Sequence, residues 1–214
     1  MGTSLRGSLL RDQLTLYVFV SVLFVVGVVF GSLLVSALTL DQQQNLAKDV
    51  EQFVLRIQDG SSVEGSGAFW ERVLFHAKWL MLIWVLGITV IGVPLVLALD
   101  FLKGVLVGFA IGTLVSQHDW KGLLFALTSV APPNLIVVPA ILIASVSALS
   151  FALSIVKGRL LGKAGPLAEP FISHTSTLVL MVMITGLAAL LEAFVTPELL
   201  RWAAPLLTDA SSGL

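Results

Sequence analysis

The sequence predicts an all-α polytopic bundle of membrane helices, and its composition and patterning carry that prediction. Hydrophobic residues make up 57% of the chain and charged residues only 12%, whereas soluble domains carry about 25% charged residues. Mean hydropathy is +1.00. Long uncharged segments alternate with short polar ones, and a membrane helix needs about 20 apolar residues. The 214 residues therefore fit a single membrane domain.

Several functional classes find no support in the residues. The net charge of -1 gives no argument for a nucleic-acid partner, and the absence of cysteine excludes disulfides and thiolate chemistry. No metalloprotease, nucleophile-elbow or phosphate-loop motif occurs. We therefore predict no catalytic residue, no cofactor and no metal site. His76, His118 and His174 are far apart, and each is predicted to lie near a membrane boundary.

The first membrane span is predicted over residues 14–38, which carry no charge. A signal-peptide core has roughly 7–15 apolar residues, so this longer run is expected to remain as a helix. Gly27 and Gly31 lie four residues apart on one face. Such a small-xxx-small pair permits close contact with another helix.

Residues 41–59 have a different pattern, that of an amphipathic helix outside the hydrocarbon core. Asp41 suits the N-cap and Gly60 the helix stop. Two interpretations stay open: this helix packs on its own bundle, or it presents a docking surface to a partner. Its polar face is more acidic than basic, which disfavours attraction to anionic lipid. The apolar face comprises Leu46, Val50, Phe53, Val54 and Ile57.

The second span is predicted within residues 69–99, with Pro94 kinking its far end. Asp100 and Lys103 then form a short polar break, and they are spaced to pair on one helix face. The third span covers residues 101–117. It carries a stripe of glycines four apart, which predicts a groove for another helix backbone or, alternatively, a pore wall. These glycines are Gly104, Gly108 and Gly112.

Residues 121–156 form an apolar stretch that is too long for one span and too short for two spans with a solvated loop. Pro132 and Pro133 interrupt it, because each proline removes a backbone donor and blocks helix continuation. We predict a re-entrant half-helix over residues 121–130 and a full span over residues 134–156. Such a break persists only where it is buried in protein or lines a wet cavity.

The last span is predicted over residues 174–195 and carries one acid, Glu192, before ending at Pro197. An acid within a span is costly and normally faces protein or water. Glu192 lies near the end of the span, so it either reaches the interface or serves a buried function. We hypothesise that a buried Glu192 bonds the backbone groups freed at Pro132 and Pro133.

The charge pattern predicts an orientation for these five spans, because cytoplasmic loops carry an excess of Lys and Arg. Residues 1–13 and the basic loop 157–173 are expected in the cytoplasm. Residues 39–72 and the tail 197–214 are expected outside the cell membrane. Five spans place the two termini on opposite sides, in agreement with this charge pattern.

Residues 190–197 read LLEAFVTP, residues 101–109 read FLKGVLVGF and residues 131–140 read APPNLIVVPA. These three segments resemble the stage II sporulation protein M family. Residues 190–197 resemble the glutamate–aromatic–proline ending of the family's last span. Residues 101–109 resemble its third span, and residues 131–140 resemble its proline-bounded break. The resemblance extends over nearly the whole chain and includes the five-span layout.

One departure from the wider superfamily concerns the break. Broader members resemble Pro-His-Gly-x-x-Glu-x-Pro-Ala there, and the histidine and glutamate are absent from this chain. The loss resembles the sporulation branch and argues against a transport or catalytic role for the break. The positions concerned are Pro132, Pro133, Asn134, Val137 and Pro139.

The resemblance implies a non-enzymatic scaffold in the mother-cell membrane of an endospore-forming bacterium. Its implied partners are two peptidoglycan hydrolases, an amidase/endopeptidase and a lytic transglycosylase, which thin the septal wall during engulfment. Membrane lipid surrounds the bundle, and the glycine faces permit a homo-oligomer. The alternative is a small transporter or flippase for a lipid or wall precursor, motivated by the broken helix and Glu192. An intramembrane enzyme ranks third, because no nucleophile–base pair can be assembled.

Overall fold

Apolar helix-forming residues dominate the chain, and a computed structural model shows helices joined by short connections. It describes residues 2–58, 66–89, 91–160 and 168–203, and no strand occurs among them. The Ser/Gly segment 60–67, the basic loop and the tail lie wholly or partly outside the described residues. The elements are α1 (Gly2–Ser36), α2 (Leu40–Gln58), α3 (Ser66–Ile88), α4 (Gly92–Ser129), α5 (Ala131–Leu160), α6 (Ala168–Leu190), a π-helix (Leu191–Val195) and α7 (Thr196–Ala203).

Four helical stretches are long and apolar enough to cross a membrane. They are Gln13–Ser36, Gly92–Ser129, Ala131–Val156 and Ala168–Ala203. Helix α3 is not among them and carries three charged residues, Glu71, Arg72 and Lys78. The all-α membrane class is thus confirmed, while the count of five spans stays a prediction.

Helix α5 occupies the centre of the bundle. In its most apolar window 56% of the residues are buried, whereas the figure is 22% for α1 and for α4. Small residues on several faces of α5 let the other helices approach it closely. Residues from α1, α3, α4 and α6 complete a single core around it. The buried core includes Val20, Leu80, Ile83, Val96, Val137, Ala144, Ala148, Leu178 and Met181.

Helices α1 and α4 pack with their backbones in contact through glycines. A Cβ atom on Gly31 would collide with the Val105 carbonyl, and one on Gly108 would collide with the Val28 carbonyl. Further along, a Cβ on Gly112 would lie 2.9 Å from the Cα of Ser32. Residue numbers rise together along the two helices, so α1 and α4 run parallel.

The predicted boundary between the second and third spans is wrong. Helix α3 ends at Ile88, and α4 starts at Gly92 and passes without interruption through Asp100. The hydroxyl of Thr89 forms the turn, because it donates to the Leu86 carbonyl at 2.9 Å and accepts from the Gly92 N–H at 3.1 Å. Pro94 lies in the first turn of α4, where its missing N–H costs no hydrogen bond.

The Pro132–Pro133 pair does not form the break itself. Helix α5 begins at Ala131, so both prolines lie in its first turn, where helical N–H groups lack partners in any case. The chain turns instead at Val130. The side-chain amide of Asn134 donates to the Val130 carbonyl at 2.7 Å and stabilises this turn.

A second interruption lies at Asp119, whose backbone is not helical (φ 47, ψ -128). After it the chain folds back, because Gly122 lies directly against the carbonyl of Leu114. The chain therefore turns between the predicted third span and the predicted half-helix, and a short helical segment follows. Whether this segment re-enters a membrane stays a prediction.

Helices α2 and α7 pack against this folded-back end of α4. Val50 of α2 contacts a small apolar cluster formed by α4 and α7. The last span does not end at Pro197, because the helix continues as α7 to Ala203. The cluster comprises Leu114, Phe125, Ala126, Leu200 and Ala203.

Candidate functional site

Glu192 lies in the π-helix that separates α6 from α7. The backbone N–H of Thr196 donates to the Leu191 carbonyl, five residues earlier, and the Thr196 hydroxyl bonds the same oxygen at 3.2 Å. Pro197 follows and has no N–H to donate. A π-helix of one turn changes the face on which the next residues lie, and such turns are frequent at functional sites.

Both carboxylate oxygens of Glu192 are bound by side chains of α3. Oε2 accepts from Nη1 of Arg72 at 3.1 Å, and Oε1 lies 3.2 Å from Nε2 of His76. Arg72 and His76 are four residues apart and so lie on one face of α3. The side chain of His76 is 6% exposed and that of Glu192 is 15% exposed, while that of Arg72 is 39% exposed. We call this group the ionic cluster.

The hypothesis that Glu192 serves the proline break is wrong. Its hydrogen bonds go to Arg72 and His76, and the Val130 carbonyl at the break is bound by Asn134. Glu192 therefore ties α6 to α3 inside the bundle. The contact could have been suspected from the sequence, because an Arg and a His lie four residues apart in one apolar helix and a later apolar helix carries a single acid.

Two of the three histidines are buried among the helices, and their position near a membrane boundary stays a prediction. His76 belongs to the ionic cluster. His174 is 3% exposed, its Nδ1 lies 3.0 Å from the Ser147 hydroxyl, and its ring stacks on Phe151 with centroids 5.5 Å apart.

The predicted polar break holds a buried acid in the third turn of α4. Asp100 is 0% exposed and its Oδ1 accepts from the Ser145 hydroxyl of α5 at 2.8 Å. Lys103, one turn later, lies over the Trp79 ring at 6.0 Å from the centroid rather than pairing with Asp100. Sequence analysis missed Asp100 because it assigned the residue to a loop, whereas an acid inside a span is a functional candidate by default.

The predicted glycine faces meet each other. Gly27 and Gly31 of α1 lie against the backbone of α4, and Gly104, Gly108 and Gly112 lie against the backbone of α1. The stripe is therefore covered within one chain, which leaves it unavailable as a pore wall or as a contact between two copies.

The predicted docking face on α2 divides between the bundle and the exterior. Val50 contacts the apolar cluster of α4 and α7, and Leu46 is half-buried. Phe53 is 49% exposed and Leu55 is 47% exposed. The side chains of Val54 and Ile57 lie outside the described residues. Part of the predicted face therefore packs on the bundle and part of it stays open, and docking of a partner there stays a prediction.

The N-cap of α2 is Thr39 rather than Asp41. The Thr39 hydroxyl accepts from the Gln42 N–H at 3.4 Å, and the Gln42 side chain accepts from the Thr39 N–H at 3.0 Å. This reciprocal pair is a capping box. Helix α2 begins at Leu40, and only three residues separate it from the end of α1 at Ser36.

Among the described residues, no group of three or more His, Asp or Glu side chains is arranged to hold a metal ion. What the fold does provide is an apolar helix bundle with one ionic cluster, one buried acid and an amphipathic helix on its outside. These features define the class of multi-pass membrane proteins.

The chain belongs to the SpoIIM family. The family model described as Stage II sporulation protein M matches residues 20–197, which run from the middle of α1 to the start of α7. The resemblance seen in three segments is thereby confirmed, and the protein is a sporulation-related membrane protein of a family not known to contain enzymes. No curated protein and no solved structure matches the chain significantly.

Proposed function

We propose that the protein is a non-enzymatic membrane scaffold for endospore formation, which recruits peptidoglycan hydrolases through α2. The observation that carries this proposal is the exposure of Phe53, which is 49% exposed although it lies on the same face of α2 as the packed Val50. Leu40 and Leu55 lie on other faces of the helix and are 76% and 47% exposed. Outside its apolar face, most positions of α2 are charged or amide residues, and the helix is too polar to span a membrane. Apolar side chains on such a helix fit a protein partner.

Helix α2 is held in a defined position, as a docking surface requires. The capping box at Thr39 fixes its start, and the contact of Val50 with α4 and α7 fixes its middle. A partner that binds a preordered helix loses less conformational entropy than one that binds a disordered segment. Helix α2 is therefore held in place before a partner binds, which suits the recruitment of a hydrolase.

The topology that supports this function places α2 outside the cell membrane. Helices α1 and α4 are parallel, so they enter the membrane from the same side. With residues 1–13 in the cytoplasm, α3 must then return the chain to the cytoplasm as a fifth span, despite its charges. The ionic cluster supplies partners for Arg72 and His76 of α3, which lowers the cost of that span.

The partners that fit this position are an amidase/endopeptidase and a lytic transglycosylase at the mother-cell side of the septum. Both would work on septal peptidoglycan, and α2 lies on the wall side of the membrane in this topology. Thinning of the septal wall during engulfment follows as the process served. The membership in a sporulation family supports this assignment.

A pull-down from sporulating cells with the full-length protein tests the scaffold. Phe53→Asp is expected to reduce recovery of both hydrolases at least about tenfold, because it places a charge in an apolar contact. Gln44→Asp is the matched control, since Gln44 is also exposed on α2 but already polar. Equal recovery with wild type and Phe53→Asp, or no hydrolase in any sample, contradicts the proposal.

A small transporter or flippase for a lipid or wall precursor is the second candidate, and the buried Asp100 favours it. Acids inside spans mark ion and proton pathways in many transporters. Purified protein in proteoliposomes separates the two functions. Precursor movement that Asp100→Asn abolishes supports transport, and the absence of movement leaves the scaffold as the function.

A further inference from the structure

A polar cavity of about 260 Å³ lies between α1, α5 and α6, away from the ionic cluster. It is bounded by the amino-terminal part of α1, the second half of α5 and the first turns of α6. The positive-inside rule assigns this end of the bundle to the cytoplasm. The residues that carry the argument are Gln13, Tyr17, Ser147, Ser150, Ser173 and His174.

The wall of this cavity contains a polar side chain that its neighbours hold in place. His174 is 3% exposed and is fixed on two sides, by the hydroxyl of Ser147 at 3.0 Å and by the stacked ring of Phe151. Hydroxyl groups continue along α5 at one-turn spacing from Ser147 to Ser150. Ser147 and Ser150 are partly buried, whereas Tyr17 and Ser173 are exposed at the cavity.

Several of these hydroxyls are free to bind a ligand. In the part of the chain that the structure describes, no partner is found for the hydroxyls of Tyr17, Ser150 and Ser173. Each hydroxyl is both a donor and an acceptor. The wall thus offers several groups of both kinds to one small molecule.

The chemistry of the wall selects an uncharged ligand. Among the described residues that line the cavity none is Asp, Glu, Lys or Arg, so this part of the wall offers no fixed counter-charge to a cation or an anion. The rings of Tyr17 and Phe151 and the side chains of Ile143 and Val146 add apolar surface. A molecule that carries several hydroxyls on an apolar ring matches both kinds of surface.

From this geometry we propose that the cavity binds a neutral polyhydroxy group of the size of one hexose. Pockets for drug-sized ligands measure about 300–1,000 Å³, so a single sugar unit is the appropriate size. The group comes either from a free sugar or from the headgroup of a neutral glycolipid in the cytoplasmic leaflet. The site is distinct from α2 and does not depend on the scaffold function.

Binding of two defined probes to the full-length protein in phosphatidylcholine nanodiscs tests the proposal. Methyl glucoside is titrated by ligand-observed NMR, and monoglucosyl diacylglycerol is followed by native mass spectrometry. Saturable binding of either probe is expected, and the probe that binds identifies the source of the sugar. Diacylglycerol without the sugar is the lipid control and is not expected to compete.

Two substitutions at Ser150 locate the bound group. Ser150→Leu fills the cavity and is expected to abolish binding, whereas Ser150→Ala removes one hydroxyl and is expected to weaken binding about five- to tenfold. Ser176→Leu is the matched control, because Ser176 lies one turn from Ser173 on α6, is exposed and does not line the cavity.

The outcomes separate cleanly. Loss of binding in Ser150→Leu with retention in Ser176→Leu supports the site. Absence of binding to both probes in the wild-type protein, equal binding by wild type and Ser150→Leu, or full competition by diacylglycerol overturns it. Should Ser150→Leu fail to yield folded protein by size-exclusion chromatography, the affinity of Ser150→Ala decides.

Discussion

Two helix contacts in this bundle hold the structure by opposite means. The α1–α4 contact depends on the absence of side chains, since glycines let the two backbones touch. The contact of α3 with the π-helix that follows α6 depends on charge, since Glu192 is held by Arg72 and His76. The difference teaches that close packing tolerates no added atom, whereas an ionic contact tolerates changes of shape better than loss of charge.

The largest expected effect comes from filling the α1–α4 contact. Gly108→Leu places a branched side chain where even a Cβ collides with the Val28 carbonyl, so the helices must separate. We expect a loss of about 3 kcal/mol or more in the free energy of unfolding. The measurement is unfolding in mixed detergent micelles as the SDS fraction increases.

Gly186→Leu is the matched control for this change. No atom lies within 4 Å of a Cβ built on Gly186, and leucine is a better helix former than glycine by roughly 0.5–1 kcal/mol. Stability equal to or above wild type is therefore expected. A similar loss from both substitutions would show that the cost is general to glycine and not specific to the contact.

An intermediate effect is expected at the ionic cluster. Glu192→Gln keeps the shape of the side chain and removes its charge, which weakens the bonds to Arg72 and His76. We expect a loss of about 1–2 kcal/mol, reduced because Arg72 is 39% exposed and solvent screens its charge. The same unfolding assay measures it.

A double-mutant cycle with Arg72→Gln shows whether that loss belongs to the ion pair. The two changes together are expected to cost less than the sum of the single changes, with a coupling energy of about 0.5–1.5 kcal/mol. Strict additivity would mean that Arg72 and Glu192 act independently. The contact of Glu192 with α3 would then not depend on an ion pair.

The smallest expected effect comes from a neutral donor bonded to a buried acid. Ser145→Ala removes the hydroxyl that bonds Asp100 and is expected to cost about 0.6–1.7 kcal/mol, as interhelical hydrogen bonds in membranes do. Ser176→Ala is the control, because its hydroxyl bonds only the Ser173 carbonyl of its own helix. Equal effects from both changes would show that the Asp100 bond contributes nothing specific.

Local features of the chain were predicted well from sequence. The membrane class and the amphipathic pattern of α2 follow from periodicity within one segment. The boundaries were predicted less well, because Asp100 resembled a loop residue and Pro132 resembled a helix break. In the structure Asp100 has a buried hydrogen-bond partner. Pro132 lies in the first turn of α5, where a backbone N–H would have no carbonyl partner within the helix, so its missing N–H costs no hydrogen bond.

The sequence by itself determined the membrane class, the amphipathic α2 and the family, because each of them depends on residues that are close together in the chain. Tertiary structure alone decided which helix fills the glycine groove, and it also decided the partners of Glu192. Arg72 and Glu192 are 120 residues apart in the chain, and Asp100 and Ser145 are 45 apart. The sequence indicates that an acid in an apolar helix needs a hydrogen-bond donor, but only the packing of the helices determines which donor reaches it.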